Sequence, residues 1–370
     1  MDKVALGLRL AQAREDAGMT QEGLGRAVKL DRTAISRLEK GERKLSATEL
    51  VEIASALRRP LSYFVNAPLP AVVSRRQDTV HAHATTRALD DELSQFSRDV
   101  RTLLDMGLLS PIERASNPRA PTNHEAAEAL AAASRSDIGL GNEPVHDLGQ
   151  ACERLGLYTF SASLGNGGPD GGCVQVNDDV SKTLGAAVVN GDAPPGRRRM
   201  TLAHELGHWL SGDAYDVEAS IDSERMIYSF AIHFLAPRAG LTKVWNEHPD
   251  WSPRDRALAV GASFRLSWSA ALGQLKNVGI IDQSRYWQLT DDEPRHGDYL
   301  RLGLRWEDEL SGPYLSPGFA SASVNGYVSG RLTAARTLEL LRGTLEIDDL
   351  PRQHTLSLED LRRSFAGHDG

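Results

Sequence analysis

The sequence predicts a mainly helical chain with one small mixed α+β unit near its middle. Three observations lead there. Apolar residues recur at helical spacing through the first 66 residues, short strand-like strings (LYTFS, CVQV, GAAVVN) interrupt helical segments near the centre, and helical periodicity returns afterwards. At 370 residues the chain exceeds one ordinary domain, so two or three folded units are expected and a single small binding module is excluded. With 41% hydrophobic and 25% charged residues it is neither disordered nor fibrous. Cys152 and Cys173 form no disulfide framework and no CxxC pair, which points to a reducing interior and away from thiolate-bound structural zinc. The N-terminus MDKVALGLRLAQARED is charged throughout, unlike a signal peptide, and no apolar run approaches the roughly 18 residues of a membrane span. A cytoplasmic protein without a membrane partner is the expectation.

The first unit, residues 1–66, reads as a bundle of about five helices. Leu6, Leu10 and Ala13 share one face of helix one, which ends at Gly18 because glycine tolerates the left-handed conformation there. Thr20 can cap a short second helix whose expected buried face is Leu24, Ala27 and Val28. A third helix starts near Asp31, with Ile35 and Leu38 inward, a polar face outward and Gly41 as its stop. Leu50, Ile53, Ala54 and Leu57 place a fourth helix at core spacing, and PLSYFV supplies a fifth. This head carries a formal charge of +3, which leaves −11 on the remainder of a chain whose total is −8. A basic head on an acidic body is compatible with a polyanion at the head only.

The stretch RLAQAREDAGMTQEGLGRAVKLDRTAISRLEKGERKLSATELVEIASAL resembles the helix-turn-helix domain of the phage-repressor (Xre) family over almost its full length. The resemblance implies operator binding to double-stranded DNA, usually as a homodimer, with the third helix in the major groove. Carried over by position, Gln21 and Lys40 would hold phosphates, while Arg32, Thr33, Ser36 and Arg37 would face bases or their flanking phosphates. Gly23 and Gly25 depart from the family, which prefers Glu and Ala there, and each glycine costs about 1 kcal/mol inside a helix. The competing view is a helical bundle used for protein contacts, its charged face simply solvated.

Pro68 and Pro70 end the first unit, and residues 67–120 read as a linker containing one amphipathic helix. Leu89, Leu93, Phe96, Val100 and Leu103 form a single apolar stripe that can either pair with its mate in a dimer or pack on the downstream domain. The stripe is too short for a free coiled coil, which favours packing within the chain. His81 and His83 suggest a metal, but a polar linker is the simpler account.

Residues 121–245 hold the chemistry. PTNHEAAEALAAASR and PVHDLGQACERLGL read as helices and precede the three strand-like strings. Then comes LAHELGHWL, where His204 and His208 lie one turn apart on the same helical face and can reach one cation. Glu205, next to the first imidazole, is placed to deprotonate a water held by that cation. Catalytic zinc needs a third protein ligand, and Asp213, Asp216, Glu218, Asp222 and Glu224 are the candidates. Glu224 is chosen because it opens the helix ERMIYSFAIHFLAP. Two imidazoles and one carboxylate suit zinc best, with manganese also compatible. Against this stands the chance occurrence of HExxH, with both histidines as mere core residues.

RRRMTLAHELGHWLSGD followed by SERMIYSFAIHFLAP resembles the ImmA/IrrE metallopeptidase family. Glu224, Phe230, Ala231 and Pro237 match its pattern, whereas Ile227 and Tyr228 stand where Ala and Asn are usual. The resemblance implies a zincin-like peptidase domain with a small mixed sheet, and a narrow regulatory substrate, commonly a helix-turn-helix repressor or antitoxin. Joined to an operator-binding head, the expectation is a transcriptional regulator with a tethered zinc endopeptidase that cleaves a regulatory protein in trans or its own linker between residues 66 and 88. The alternative is a non-hydrolytic metal- or ligand-sensing repressor, or an antitoxin, using the peptidase fold as a sensor or oligomerisation body. Arg197, Arg198 and Arg199 precede the metal helix and could bind an acidic peptide, but a solvated loop or a contact to the acidic body is favoured. His233 reads as a packing or hydrogen-bonding residue, and Cys173 as a small buried strand residue in preference to an inhibitory thiolate.

Residues 246–370 read as a helical C-terminal region. RDRALAVGASFRLSWSAALGQLKNVGIID has the helix, turn, helix and short-strand rhythm of a winged module. Ser267, Ser269, Gln274 and Lys276 are weak support for a second DNA contact. GRLTAARTLELLRG and SLEDLRRSFAG supply two later helices.

Overall fold

The computed structural model describes residues 3–57, 59, 61, 64, 82–113, 120–176, 182–212, 221–305 and 307–353. The chain clusters into two compact units, residues 1–69 and 70–370. In the first, helices α1 (Lys3–Asp16), α2 (Gln21–Ala27), α3 (Arg32–Glu39) and α4 (Ala47–Ala56) surround Leu10, Leu24, Ile35, Leu38, Ile53 and Phe64. The caps are those the residue types favour. Thr20 accepts from the Gly23 N–H at 3.0 Å and Asp31 from the Ala34 N–H at 2.6 Å, while Ser46 and Glu49 form a capping box. Gly18 and Gly41 are left-handed, at φ +62° and +72°. Two differences from expectation appear here. Ala27 is exposed, and Gly25 takes the buried place beside Leu24. A Cβ on Gly25 would stand 2.5 Å from the Leu30 carbonyl oxygen, so the glycine lets the turn into α3 fold back against α2. The fifth helix expected at PLSYFV lies mostly outside the described residues, although its Phe64 is fully buried in this core.

The second unit is built on a four-stranded sheet of order β3-β5-β2-β6. Its elements run α5 (Ala82–Asp105), β1 (Ile112–Glu113), α6 (His124–Asp137), α7 (Leu148–Arg154), β2 (Leu157–Ala162), β3 (Gly171–Gln175), β4 (Lys182–Thr183), β5 (Gly185–Asn190), α8 (Pro195–Ser211), α9 (Ile221–Leu235), α10 (Arg238–Glu247), α11 (Pro253–Phe264), α12 (Trp268–Asn277), α13 (Gln283–Thr290), α14 (His296–Arg301), β6 (Tyr314–Leu315), α15 (Pro317–Val328) and α16 (Ala334–Leu341). Strand β5 pairs parallel with β2 and antiparallel with β3, and β6 adds antiparallel to the other side of β2. The short β1 and β4 pair separately.

Alternation along the strands divides the core in two, because successive side chains point to opposite sheet faces. Ala187 and Val189 of β5 face one cluster with Leu202, Leu206, Phe230 and Phe264, while Ala186 and Val188 face another. The second cluster contains Leu89, Leu93, Phe96, Val100 and Leu103, so the apolar stripe of α5 is spent on the sheet of its own chain. Helices α15 and α16 close over α5. Arg342 donates to Glu92 at 2.9 Å and to Asp99 at 2.7 Å, and its guanidinium stacks 4.6 Å from the Phe160 ring centroid.

Residues 246–353 are therefore interleaved with the sheet, β6 included. The turn between α11 and α12 is present, with Arg265 left-handed at φ +52°. The strand expected after it is absent, since residues 278–282 form turns and bends. Gln274 is fully buried there, which removes it from any DNA-facing surface, while the exposed Ser267 caps α12 by accepting from the Ala270 N–H. The helix expected in SLEDLRRSFAG and His81 of the linker lie outside the described residues, as does the side chain of His83. Among the described residues no helix is long and apolar enough to cross a membrane.

Candidate functional site

Helix α8 starts with a proline in its first turn, where the missing N–H costs nothing, and stops at left-handed Gly212. Arg197, Arg198 and Arg199 lie inside it and not in a preceding loop. Three cations at a helix N-terminus oppose the macrodipole, and each is answered by an acid. Arg197 pairs with Asp170 at 2.6 Å, Arg198 with Asp308 and Arg199 with Glu309, which Arg265 also holds at 2.9 Å. Arg199 is only 1% exposed. Arg198 and Arg199 thus fasten α8 to the segment before β6, and Arg197 ties it to the residue before β3, as the acidic-body alternative required.

One turn apart on α8, the His204 and His208 rings lie edge to face with their Nε2 atoms 3.0 Å apart, and both are buried. Glu224, in the first turn of α9, places Oε2 3.2 Å from His204 Nε2 and Oε1 3.4 Å from His208 Nε2. Donors about 2.0–2.2 Å from a tetrahedral ion stand about 3.3 Å from one another, so the three groups fit around one divalent cation. This is the one such cluster of three among the described residues. Without an ion, the two imidazoles hold the Glu224 carboxyl far below the usual carboxylate range. Asp222, one of the other candidate ligands, is exposed and 3.8 Å from Arg225, whereas Asp213, Asp216 and Glu218 lie outside the described residues.

Glu205 is 1% exposed and its Oε2 has no hydrogen-bond partner among the described residues. Burial disfavours the ionised form and raises the carboxyl above its ordinary value, against the pull of His208 and His204. A buried carboxylate left unsatisfied is expensive, and a cation at the adjoining site would offset that cost. His204 Nδ1 is likewise buried without a partner among the described residues. Cys173 sits on β3 with its Sγ 3.6 Å from the Glu205 carbonyl oxygen, fully buried as expected of a strand residue.

What brings the carboxylate to the histidines was not apparent from ligand spacing. A Cβ on Gly207 would stand 2.8 Å from Ile227 Cγ2 and 2.9 Å from Phe230 Cδ1, so only glycine lets α9 lie this close to α8. Gly207 in HELGH and the bulky Ile227 facing it were the signals available. Ile227 is fully buried, and Tyr228, one turn after Glu224, is 38% exposed. His233 is buried at the other end of α9, where Gln274 Nε2 meets its Nδ1 at 3.1 Å.

In the first unit, Arg32, Thr33, Arg37 and Lys40 are exposed and Ser36 is half-buried, all along or just after α3. Gln21 differs. Its amide donates to Glu39 at 2.7 Å, and Glu39 in turn pairs with Arg14 at 2.6 Å. The side chain is thereby fixed at the start of α2 with one amide hydrogen committed inward.

A compact four-helix head and a two-histidine, one-carboxylate cluster beside a small mixed sheet are the features of a regulator with a metallopeptidase-type domain. Comparison with protein families agrees. Residues 10–64 match the helix-turn-helix family and residues 152–276 match the IrrE N-terminal-like domain, so the chain joins the two. No curated protein matches the chain. Among solved structures, the apo form of the competence regulator ComR from Streptococcus vestibularis is 11% identical over 100% of both chains with a TM-score of 0.17. ComR from Streptococcus suis is 12% identical over 92% of this chain and 87% of that one, also with a TM-score of 0.17.

Proposed function

We propose that the chain is an operator-binding regulator whose IrrE-like domain is a zinc-dependent endopeptidase acting on a regulatory protein, with a helix-turn-helix repressor or antitoxin as the substrate class. The observation that carries this is the convergence of His204, His208 and Glu224 within 4.8 Å of one another beside the buried carboxyl of Glu205. The three would hold the ion, and zinc suits such a ligand set better than manganese. When bound, the ion supplies a Lewis acid that acidifies water and polarises a carbonyl.

The remaining work falls to this chain's own groups. Glu205 takes the proton of the water as its oxygen adds to the carbonyl carbon, then delivers that proton to the amine nitrogen, so that the peptide C–N bond breaks after the new C–O bond has formed. Its apolar setting favours proton uptake, since the neutral acid is the form that burial prefers. Leu202, Leu206 and Trp209, all buried on the same helix, keep bulk water from the far side. In the head, Arg32, Thr33, Ser36 and Arg37 would read bases or neighbouring phosphates, while Gln21 and Lys40 position the backbone of a two-fold operator bound by a homodimer.

The test is Glu205→Gln, which removes the base and spares the three ligands. Zinc content by elemental analysis stays at parent level, and cleavage of a co-expressed helix-turn-helix partner, followed by mass spectrometry, is lost by at least about 100-fold. A Glu205→Gln protein that still relieves repression as the parent does would assign the domain to non-hydrolytic sensing.

A further inference from the structure

A cavity of about 570 Å³ opens at the end of α9 remote from Glu224. Glu128, Ala132 and Ser136 of α6, His233 of α9, and Pro237 with the first residues of α10 line it. Its volume falls in the range of small-molecule sites. His233 sits nine residues along α9 from Glu224, about 13 Å along the helix axis, so the cavity is distinct from the metal centre.

The chemistry of the walls can be worked out donor by donor. Gln274 Nε2 donates to the Ala236 carbonyl oxygen at 3.1 Å, which fixes the orientation of the amide, so the same nitrogen is the donor to His233 Nδ1 at 3.1 Å. The neutral imidazole then carries its hydrogen on Nε2. Its nearest carboxylate oxygen, Glu128 Oε2, stands at 4.0 Å, too far for a hydrogen bond. Glu128 is already engaged by Arg238, Nε to Oε1 at 2.9 Å and Nη2 to Oε2 at 3.0 Å. The fully buried Arg135 guanidinium also borders the cavity, held by the Gly141 carbonyl at 2.7 Å. Burial lowers it to about 10, still a cation at neutral pH. Two arginines against one carboxylate leave the lining with an excess positive charge. Helix α10 begins here with no side-chain cap, because its N-cap is Pro237, and its first-turn N–H groups lack an intrahelical acceptor. Ala132, Pro237 and Ala239 add apolar wall.

We propose that this cavity binds a small organic monocarboxylate, its oxygens accepting from His233 Nε2 and the start of α10 and its compact apolar body resting on Ala132 and Ala239. The site stands whether or not the metal centre hydrolyses peptides, and it gives the second unit a place to receive a chemical signal on the helix that carries Glu224.

Calorimetric titration of the full chain with benzoate, a flat apolar monocarboxylate, tests it, with inorganic phosphate as the second probe. Saturable one-to-one binding of benzoate is expected. Ala132 is solvent-facing, so Ala132→Phe leaves the melting temperature near that of the parent while its ring fills the cavity and abolishes binding. His233→Phe weakens binding about tenfold or more, and His233→Gln, which restores an N–H donor, recovers most of it. Benzoate that fails to saturate, or that binds the Ala132→Phe protein as well as the parent, overturns the site. Phosphate binding with the same dependence on both residues, in place of benzoate, overturns the monocarboxylate assignment.

Discussion

Replacing Gly207 by Ala perturbs the proposed metal site without touching His204, His208 or Glu224, which makes it a direct probe of how the carboxylate is brought to the two imidazoles. The new Cβ would lie 2.8 Å from Ile227 Cγ2 and 2.9 Å from Phe230 Cδ1, whereas ordinary contacts begin near 3.4 Å. Relief requires α8 and α9 to part by about 0.6 Å or more. The carboxylate of Glu224, now 3.2 and 3.4 Å from the two Nε2 atoms, would then stand about 4 Å from them. That exceeds the tolerance of about 0.2 Å within which an ion keeps its ligands. Overpacking costs about 1–3 kcal/mol, and alanine recovers about 1 kcal/mol of helix propensity. The metal-free protein should therefore melt within a few degrees of the parent. Zinc affinity should fall at least about tenfold, on the scale of losses seen when a ligand's support is removed. The zinc-dependent gain in stability would shrink by about 1.4 kcal/mol for each factor of ten. A competition titration against a chromophoric chelator, with melting curves in zinc and in chelator, reads both quantities. Parent-level zinc affinity in Gly207→Ala would refute the claim that this contact sets the carboxylate's reach.

Other expectations can be checked with similar economy. Arg14→Ala leaves Glu39 buried without its cation, since the two side chains are only 11% and 8% exposed; breaking such a pair costs about 3–5 kcal/mol, and the first unit should lose more than about 10 °C in its melting transition. Arg32→Ala should weaken operator binding and lower the slope of log affinity against log salt by about one if it meets a phosphate, whereas an unchanged slope with relaxed base preference would assign it to base reading. Burial depresses His233 below its ordinary value of 6.5, with Glu128 opposing and Arg238 and His124 adding to the effect. The unfolded chain then binds the proton first as pH falls, so His233 contributes stability that is complete above pH 6.5 and fades below it. Urea unfolding at several pH values should show a flatter acid limb for His233→Gln, and an unaltered limb would disprove that source.

The legible parts of this chain are those whose partners are near in sequence. His204 and His208 share a helical face by their four-residue spacing, and Glu224 heads the next helix, so the whole ligand set spans little more than twenty residues. The strand strings and the caps at Thr20 and Asp31 are equally local. By contrast, the stripe from Leu89 to Leu103 fixes which face of α5 is buried but not against what, and only the sheet shows that intrachain packing consumes it. Arg197, Arg198 and Arg199 looked like a loop because Pro194, Pro195 and Gly196 precede or open them. Yet proline at a first helical turn starts helices, and the acids that neutralise Arg198 and Arg199 lie 110 residues away. The cavity beside His233 draws on α6, α9 and α10, with Gln274 of α12 setting the imidazole tautomer, so no window of sequence contains it. Gly207 sits between these extremes. Its place inside the motif is visible at once, but its meaning depends on Ile227 and Phe230 from a helix whose approach it permits, and it is that approach which brings a carboxylate to two histidines on an apolar helix and so makes a cluster that could hold a metal.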